Sequence, residues 1–600
     1  MSTMRVADYI ANFVYDLGVH DVFMLTGAGI MHLTDGVACH SKLRAICVHH
    51  EQTASMALEA YARTSQNFGV GYFTTGPGAT NAITGLAGAW QDSVPCLFIS
   101  GQSKRSEASF NAGIQGLRQF GVQELNVIPI VESICKSAVV LNDPEMVRYE
   151  LEKAIYTAKS GRPGPVWLDV PMDVQAARVD ASKLKGFDVP SQQYPVKPDR
   201  LAALVDLLRQ AKRPVIIAGQ GVRLAGAIDA LSDFVGKFRI PIVTPYLGID
   251  NMRHDRPEYI GKTGVKGDRP ANYAMQNADL VLSIGSSLHV SVIGYDYDKF
   301  AREAKKVVVD IDETAHRKKT INIDMFFQAD AKEFIKALAF ACDKAAISGY
   351  ADWLERCDAW KEKYKVCLPE YRDTQGAINI YSFIDALSHK AAEGDVFVSD
   401  AGSAYYATSQ GIQLLKANQR YITSGAMATM GYSLPAAIGV SAALGDKRVL
   451  AVTGDGSLQQ NIQELQTMAS YKLPVKLFVL NNDGYLSIRA SQKNYFDRRF
   501  IGEGPESGVT MPDTLKIADA YGIKAVRVSE LSRLDSVLDE VLAYEGPVIC
   551  DVVTPREQLV IPTVASRVNP DGTMSSRPLE DMFPFLEREE YLSNLLVKEA

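Results

Sequence analysis

Residues 448–483 read RVLAVTGDGSLQQNIQELQTMASYKLPVKLFVLNND, and this stretch decides the fold. A strand-like apolar run, RVLAVT, meets Gly454-Asp455-Gly456-Ser457. A helical pattern follows, and then a second apolar run, VKLFVL, ends at Asn481-Asn482. That is one β–α–β unit. In a right-handed unit both strands end at the same edge of the sheet, where ligands bind, so Asp455 and Asn482 are expected to converge despite the 27 positions between them. Two such oxygen ligands suit Mg²⁺, which keeps water and phosphate oxygens in its remaining positions. Gly454 and Gly456 remove side chains where backbone has to approach a diphosphate, and the amides of the following helix start favour its charge. Read alone, GDG is equally a strand-to-helix turn; the interval to Asn-Asn gives it chemical meaning.

Outward from this unit, the chain repeats the alternation of short β-rich runs with helical patterns. LRAICV, VGYFTT, PCLFIS and GPVWLDV lie in the first 185 residues; PVIIAG, IPIVTP, DLVLSIG and KVVVDID lie between 195 and 345; DVFVSD, KAVRVS and PVICDVV join the opening unit between 375 and 555. Strands alternating with helices imply doubly wound parallel sheets, so the reading is three α/β domains of that class with a tail from 556 to 600. The chain's 600 residues exceed one core and fit three or four domains. With 47% apolar and 22% charged residues and a net charge of −7, there is no basic surface of the kind that attracts nucleic acid or anionic lipid. No apolar run reaches membrane-spanning length and MSTMRVADYIANFVYDLG lacks a signal-peptide plan, so a cytoplasmic protein is expected. Eight cysteines without a CxxC pair read as buried thiols in a reducing compartment.

The GDG-to-NN pattern resembles that of thiamine diphosphate enzymes, and the chain is similar to their acetolactate synthase-like branch over about residues 1–555. HHEQTASMALEAYAR (49–63), TTGPGATNAITGLAGAWQDSVP (74–95), SGRPGPVWLDVP (160–171) and TSGAMATMGYSLPAAIG (423–439) carry the likeness, in this order along the chain. The resemblance implies a pyrimidine-binding, a central and a diphosphate-binding domain, and a homodimer or homotetramer with active sites shared between subunits. It implies that Glu51 contacts the aminopyrimidine and shuttles the proton that activates the cofactor. By the same match, Met430 bends the cofactor, the backbone at Ala428 meets the pyrimidine amino group, and Gly76 and Ser457 are cofactor contacts. Asp455, Asn482 and the carbonyl of Gly484 become the Mg²⁺ ligands, the last without need of a side chain. Gly27 and Ala28 fall near the reacting carbon, and Gln123 and Lys136 in the substrate channel.

The implied reaction is decarboxylation of a 2-oxo acid, pyruvate being the family's usual donor, followed by addition of the acyl unit to an acceptor carbonyl. Two departures bear on partners. Ser491 stands where acetolactate synthases carry an acceptor-shaping tryptophan. Ser287 and Ser291 stand where two FAD-contacting arginines would be expected, so FAD is left open although Gly219-Gln220-Gly221, Gly285, Asp310 and Asp312 keep the look of a nucleotide edge. NNDGYLSIRASQ, GVTMPDTLKIADAYGI and SRPLEDMFPFLEREE resemble members associated with bacterial surface polysaccharides, some of which transfer an acetyl unit to a keto sugar nucleotide. Simple decarboxylation to an aldehyde and a non-catalytic regulatory homologue are the remaining alternatives.

Overall fold

The computed structural model describes residues 3–568, 571 and 574–599. Three six-stranded sheets, all of whose strand pairings are parallel, lie in succession along the chain. Their inner strands are mostly buried, as parallel strands covered by helices on both faces must be, while outer strands such as Arg44–Cys47, Ala138–Val140 and Lys524–Val528 are partly exposed. The first sheet, from Asp21–Met24 to Val166–Pro171, has its strands in the spatial order second, first, third, fourth, sixth, fifth. The third sheet, from Val396–Ser399 to Val548–Val553, has the same order. The central one, from Pro214–Ala218 to Met325–Gln328, runs third, second, first, fourth, fifth, sixth, the dinucleotide-fold order. The three sequence blocks that look alike are therefore a matched outer pair around a different middle.

The outer pair meets through two helices. Helix Glu51–Ser65 begins where the His50 imidazole accepts from Gln52 N (3.0 Å), and its small residues Ala54, Ala57 and Ala60 are fully buried. Against it lies Ser433–Ala443, buried nearly all round. Contact is backbone to backbone: a Cβ at Gly439 would sit 2.0 Å from Ala57 O. Gly439→Val is therefore expected to lower the thermal unfolding midpoint, with an overpacking cost of about 1–3 kcal/mol. An unchanged midpoint in scanning calorimetry would show that the helices can part freely.

The tail, which has no clear sequence period, forms two small antiparallel pairs and the helix Arg588–Ser593. Side chains from the central domain hold its backbone: Asn272 Nδ2 donates to Leu579 O (3.0 Å), Arg269 Nη2 to Pro584 O (2.7 Å) and Asn277 Nδ2 to Asn594 O (3.0 Å). None of the eight cysteines is in a disulfide. The expectation that they are buried needs correction at three positions: Cys39 and Cys47 are exposed and Cys367 is half-buried; Cys47 ends the edge strand Arg44–Cys47 of the first sheet. Among the described residues no helix is long and apolar enough to cross a membrane.

Candidate active site

Asp455 leaves the strand Val449–Gly454, and Asn482 follows the neighbouring strand Val475–Asn481, so the sheet itself brings them together. Asp455 Oδ2 accepts from the backbone N–H of Asn482 (3.2 Å) and of Gly484 (3.1 Å), and Oδ1 from that of Gly456 (2.8 Å). Burial outweighs these donors and pushes the carboxyl up to about 6. Beside it, the buried Asn482 Oδ1 has no hydrogen-bond partner, an orphan acceptor of a kind that native structures fill. A buried carboxylate and an unmatched amide oxygen, both acceptors, fit a hard cation. No cluster of three or more His, Cys, Asp or Glu side chains with metal-binding placement occurs among the described residues, so phosphate oxygens would have to complete the shell, as Mg²⁺ usually requires.

The three glycines of this edge differ in what they serve. A Cβ at Gly454 would meet nothing closer than 4.0 Å, leaving open space for a ligand. At Gly456 it would strike the Tyr485 ring at 2.3 Å, so packing already requires that glycine. Gly484, for which no side-chain requirement was expected, sits at φ 137° with a Cβ position 2.1 Å from Glu503 O; no other residue fits. Ser457 Oγ donates to Asp400 Oδ2 (2.6 Å) and accepts from Gly431 N (2.8 Å), tying the metal turn to the loop that carries Ala428 and Met430. Ala428 holds a left-handed conformation, φ 48°, rare for a residue with a Cβ and frequent at functional sites.

A second group assembles at the corresponding edge of the first sheet. Glu51 is buried, and Asn81 Nδ2 donates to its Oε2 (3.0 Å). Gly27 packs on Thr74, where a Cβ would come within 2.4 Å, and Ala28 is exposed beside it. Gly76, at φ 67°, lies under the carbonyl of Gln123 with a Cβ position 2.5 Å away. Lys136 is not brought to this edge; its ammonium donates to Ser160 O, and burial lowers it to about 8.

The two groups face different ways. Along helix Glu51–Ser65, Thr53, Met56, Glu59 and Arg63 form the stripe against the third domain: Thr53 Oγ1 meets Asn461 Oδ1 at 3.4 Å, Met56 Sδ meets Asn461 Nδ2 at 3.9 Å, Glu59 accepts from Tyr432 OH, and Arg63 donates to Thr423 O. Glu51 precedes Thr53 by two residues, about 200° round the helix, and points instead at Asn81.

A cavity of about 490 Å³ opens at the junction of all three domains. The central domain lines it with Gly219–Gly221, Lys266, Ser287, Ser291 and Asp310, the first domain with Lys159 and Arg162, and the third with Tyr405, Tyr406 and Ala428. Gly221 and Gly285 touch backbone to backbone, so strand-end packing explains them without a ligand. Asp310 is engaged by His316 Nε2 (3.1 Å) and Asp312 N (2.9 Å). Ser287 and Ser291 both line the cavity and present hydroxyls where the FAD reading needs guanidinium groups. Ser491 lies away from it, on the exposed face of helix Leu486–Tyr495.

Sequence reasoning missed the bracing residues. Asp400, which steadies Ser457 and Thr453, follows the strand Val396–Ser399, and only its position at a strand end marked it. Arg489 lay in the quoted NNDGYLSIRASQ without a role; it is buried and donates to Asn482 O (3.2 Å), Asp483 O (2.9 Å) and Glu503. Asn81 lay in a quoted segment without a role.

Family models match in three consecutive pieces: the thiamine pyrophosphate enzyme N-terminal TPP-binding domain over residues 4–127, the central domain over 201–338 and the C-terminal TPP-binding domain over 400–552. Among characterised proteins, the chain is 30% identical over 580 residues to acetolactate synthase isozyme 2 large subunit of Escherichia coli, covering 96% of this chain and all of that one. It is 30% identical over 564 residues to the acetolactate synthase large subunit of Porphyra purpurea, with 91% of each chain covered. To that of Cyanidium caldarium it is 29% identical over 560 residues, covering 91% of this chain and 92% of the other.

Proposed function

The chain belongs to the thiamine pyrophosphate enzymes, in the company of acetolactate synthase large subunits, and from this membership we propose that it condenses two 2-oxo acids, with pyruvate as donor. It is a thiamine diphosphate-dependent enzyme of decarboxylation and carboligation. The C1–C2 bond of the donor breaks and releases CO₂. The acyl carbon then bonds to the acceptor's carbonyl carbon, whose oxygen takes a proton, with no net change of oxidation state. Bound thiamine diphosphate supplies the electron sink that makes the first step possible.

The observation that carries the reading is the pairing of the buried Asp455 carboxylate with the unmatched Asn482 Oδ1 at one sheet edge, next to the open Gly454. In this reading Asp455, Asn482 and the Gly484 carbonyl hold Mg²⁺, and the amides around Gly454 and Ser457 meet the diphosphate. Ala428 and Met430 border the pyrimidine and thiazolium rings. Glu51 holds and returns the proton exchanged with the pyrimidine, its carboxyl oriented by Asn81 and kept from bulk water by burial. Gly27, Ala28 and Gln123 face the substrate, and Gly76 lets the Gln123 backbone approach. Because Glu51 points away from the metal turn of its own chain, each complete site takes Glu51 from one copy and Asp455 from another, which makes the working form a homodimer or a higher homo-oligomer. The reaction moves no net electrons, so FAD would have no net redox role in it. A reducing, cytoplasmic setting belongs to the same reading, supported by eight cysteines that carry no disulfide.

Incubation of Mg²⁺- and thiamine diphosphate-loaded protein with labelled pyruvate, alone and with 2-oxobutyrate, tests this. Acetolactate, and acetohydroxybutyrate in the mixture, are the expected products. Acetaldehyde alone, or unconsumed pyruvate, would overturn the assignment.

A further inference from the structure

Lys266 lies in the loop between strand Tyr259–Lys262 and helix Arg269–Gln276, and it lines the junction cavity within a shell that also contains Ala428. Its backbone is fixed from several sides. Tyr246 OH donates to Lys266 O (2.5 Å), Val265 N to Ser291 O (2.8 Å) and Gly267 N to Gly264 O (2.9 Å), and Lys262 N donates to Asp268 Oδ1 (2.9 Å) while Asp268 N donates to Lys262 O (2.6 Å). The side chain has no such partner. Its ammonium stands 4.6 Å from the Tyr406 ring centroid, and among the described residues no oxygen accepts from it. Other largely buried lysines are matched: Lys262 donates to Gln410 O and Ile412 O (both 3.0 Å), and Lys361 to His254 O (3.0 Å) and Arg256 O (3.2 Å). Burial lowers the Lys266 ammonium from its ordinary value, as expected of a cation without an anion.

A cation held by a rigid loop and covered on one side by an aromatic face keeps its other side for a ligand. The carboxylates nearest along the wall are committed, Asp310 to His316 and Asp330 to the N–H groups of Lys332 and Glu333, so neither neutralises it. The cavity also reaches Ala428, the position that borders the cofactor pyrimidine in the proposed function. A small anion bound at Lys266 would thus lie between the central domain and the reacting centre, and Ser287 and Ser291 would add only neutral hydroxyls to its surroundings.

We propose that Lys266 is the specificity-determining residue for the second substrate: its ammonium receives the carboxylate of the acceptor 2-oxo acid in the junction cavity, with the acceptor's carbonyl directed toward Ala428. The inference rests on the carboligase reading above and adds to it the group that selects an anionic acceptor.

The test measures kcat/KM for a charged acceptor, 2-oxobutyrate, against a neutral one, propanal, each ligated to the acyl unit of labelled pyruvate. It uses cofactor-loaded wild-type protein, Lys266→Met and Lys266→Arg. Loss of a charge-assisted hydrogen bond in a buried site is expected to lower the charged-over-neutral ratio by about 10- to 100-fold in Lys266→Met. Lys266→Arg, which retains the charge, is expected to recover most of it. A Lys266→Met ratio equal to that of wild type overturns the proposal, as does a ratio that falls equally in Lys266→Arg. Lys266→Gln makes the same comparison if the methionine variant does not fold. Wild-type protein that ligates neither acceptor instead removes the carboligase reading beneath it, which is a distinguishable failure.

Discussion

Glu51→Gln is expected to reduce turnover of pyruvate by about 10²–10⁴-fold, the range typical of a lost general acid–base group, while thiamine diphosphate uptake stays within a few-fold of wild type. The substitution is nearly isosteric. Glutamine keeps an oxygen that can accept from Asn81 Nδ2, so the start of the helix and its His50 cap have no reason to change. What is lost is a group that can release and recover a proton while buried. The second readout is therefore exchange of the cofactor's thiazolium proton with deuterated solvent, followed by NMR in quenched samples. Glu51→Gln should slow that exchange to a degree similar to the turnover. A variant that turns over slowly but exchanges as fast as wild type would place Glu51 in substrate handling and not in proton transfer. Wild-type turnover by the variant would remove it from the chemistry altogether.

The parts of this molecule that sequence patterns expose are those set by the nearest neighbours in the chain. Strands such as VKLFVL are apolar apart from Lys476, whose buried ammonium donates to Tyr544 O and Gly546 O, because both faces are covered, and their ends at Asp455 and Asn482 follow from the handedness of one connection. Glu51 was legible in the same way, as the first residue of a helix after a short strand. What pattern could not expose was anything decided by residues far apart. The outer sheets share one strand order and the middle has another, because crossover direction is not written in strand composition. Arg489 is a charged residue in a mixed stretch, three residues after Leu486 on the buried face of its helix, and only the return of the chain at Glu503 and Arg556 shows that it braces the metal loop. Lys136 and Lys266 are two lysines in similarly mixed stretches. One is occupied by Ser160 O and the other has only an aromatic ring, a distinction made wholly by tertiary contacts.

Asp455→Ala is expected to weaken Mg²⁺-dependent uptake of thiamine diphosphate by at least about 100-fold, since even outer-shell partners of a metal ligand are commonly worth 10- to 100-fold. The wild-type protein offers a sharper version of the same test through pH. Three backbone N–H groups favour the ionised carboxylate, but burial outweighs them and sets its value at about 6. Mg²⁺ needs the carboxylate ionised, so proton and metal compete for Asp455. Above about pH 7 the apparent affinity for Mg²⁺ should level off, and below about pH 6 it should fall toward a tenfold loss per pH unit, the slope for one displaced proton. In Asp455→Asn that part of the slope should vanish, leaving weak binding with little dependence on pH between about pH 5 and pH 7. Titration of cofactor-free protein with Mg²⁺ at saturating thiamine diphosphate, followed by intrinsic fluorescence, reads both effects. If Asp455→Ala bound as tightly as wild type, the metal would have to sit elsewhere. If affinity were lost but the wild-type slope were absent, Asp455 would be shaping the Asn482–Gly484 loop through its backbone hydrogen bonds and not ligating the ion.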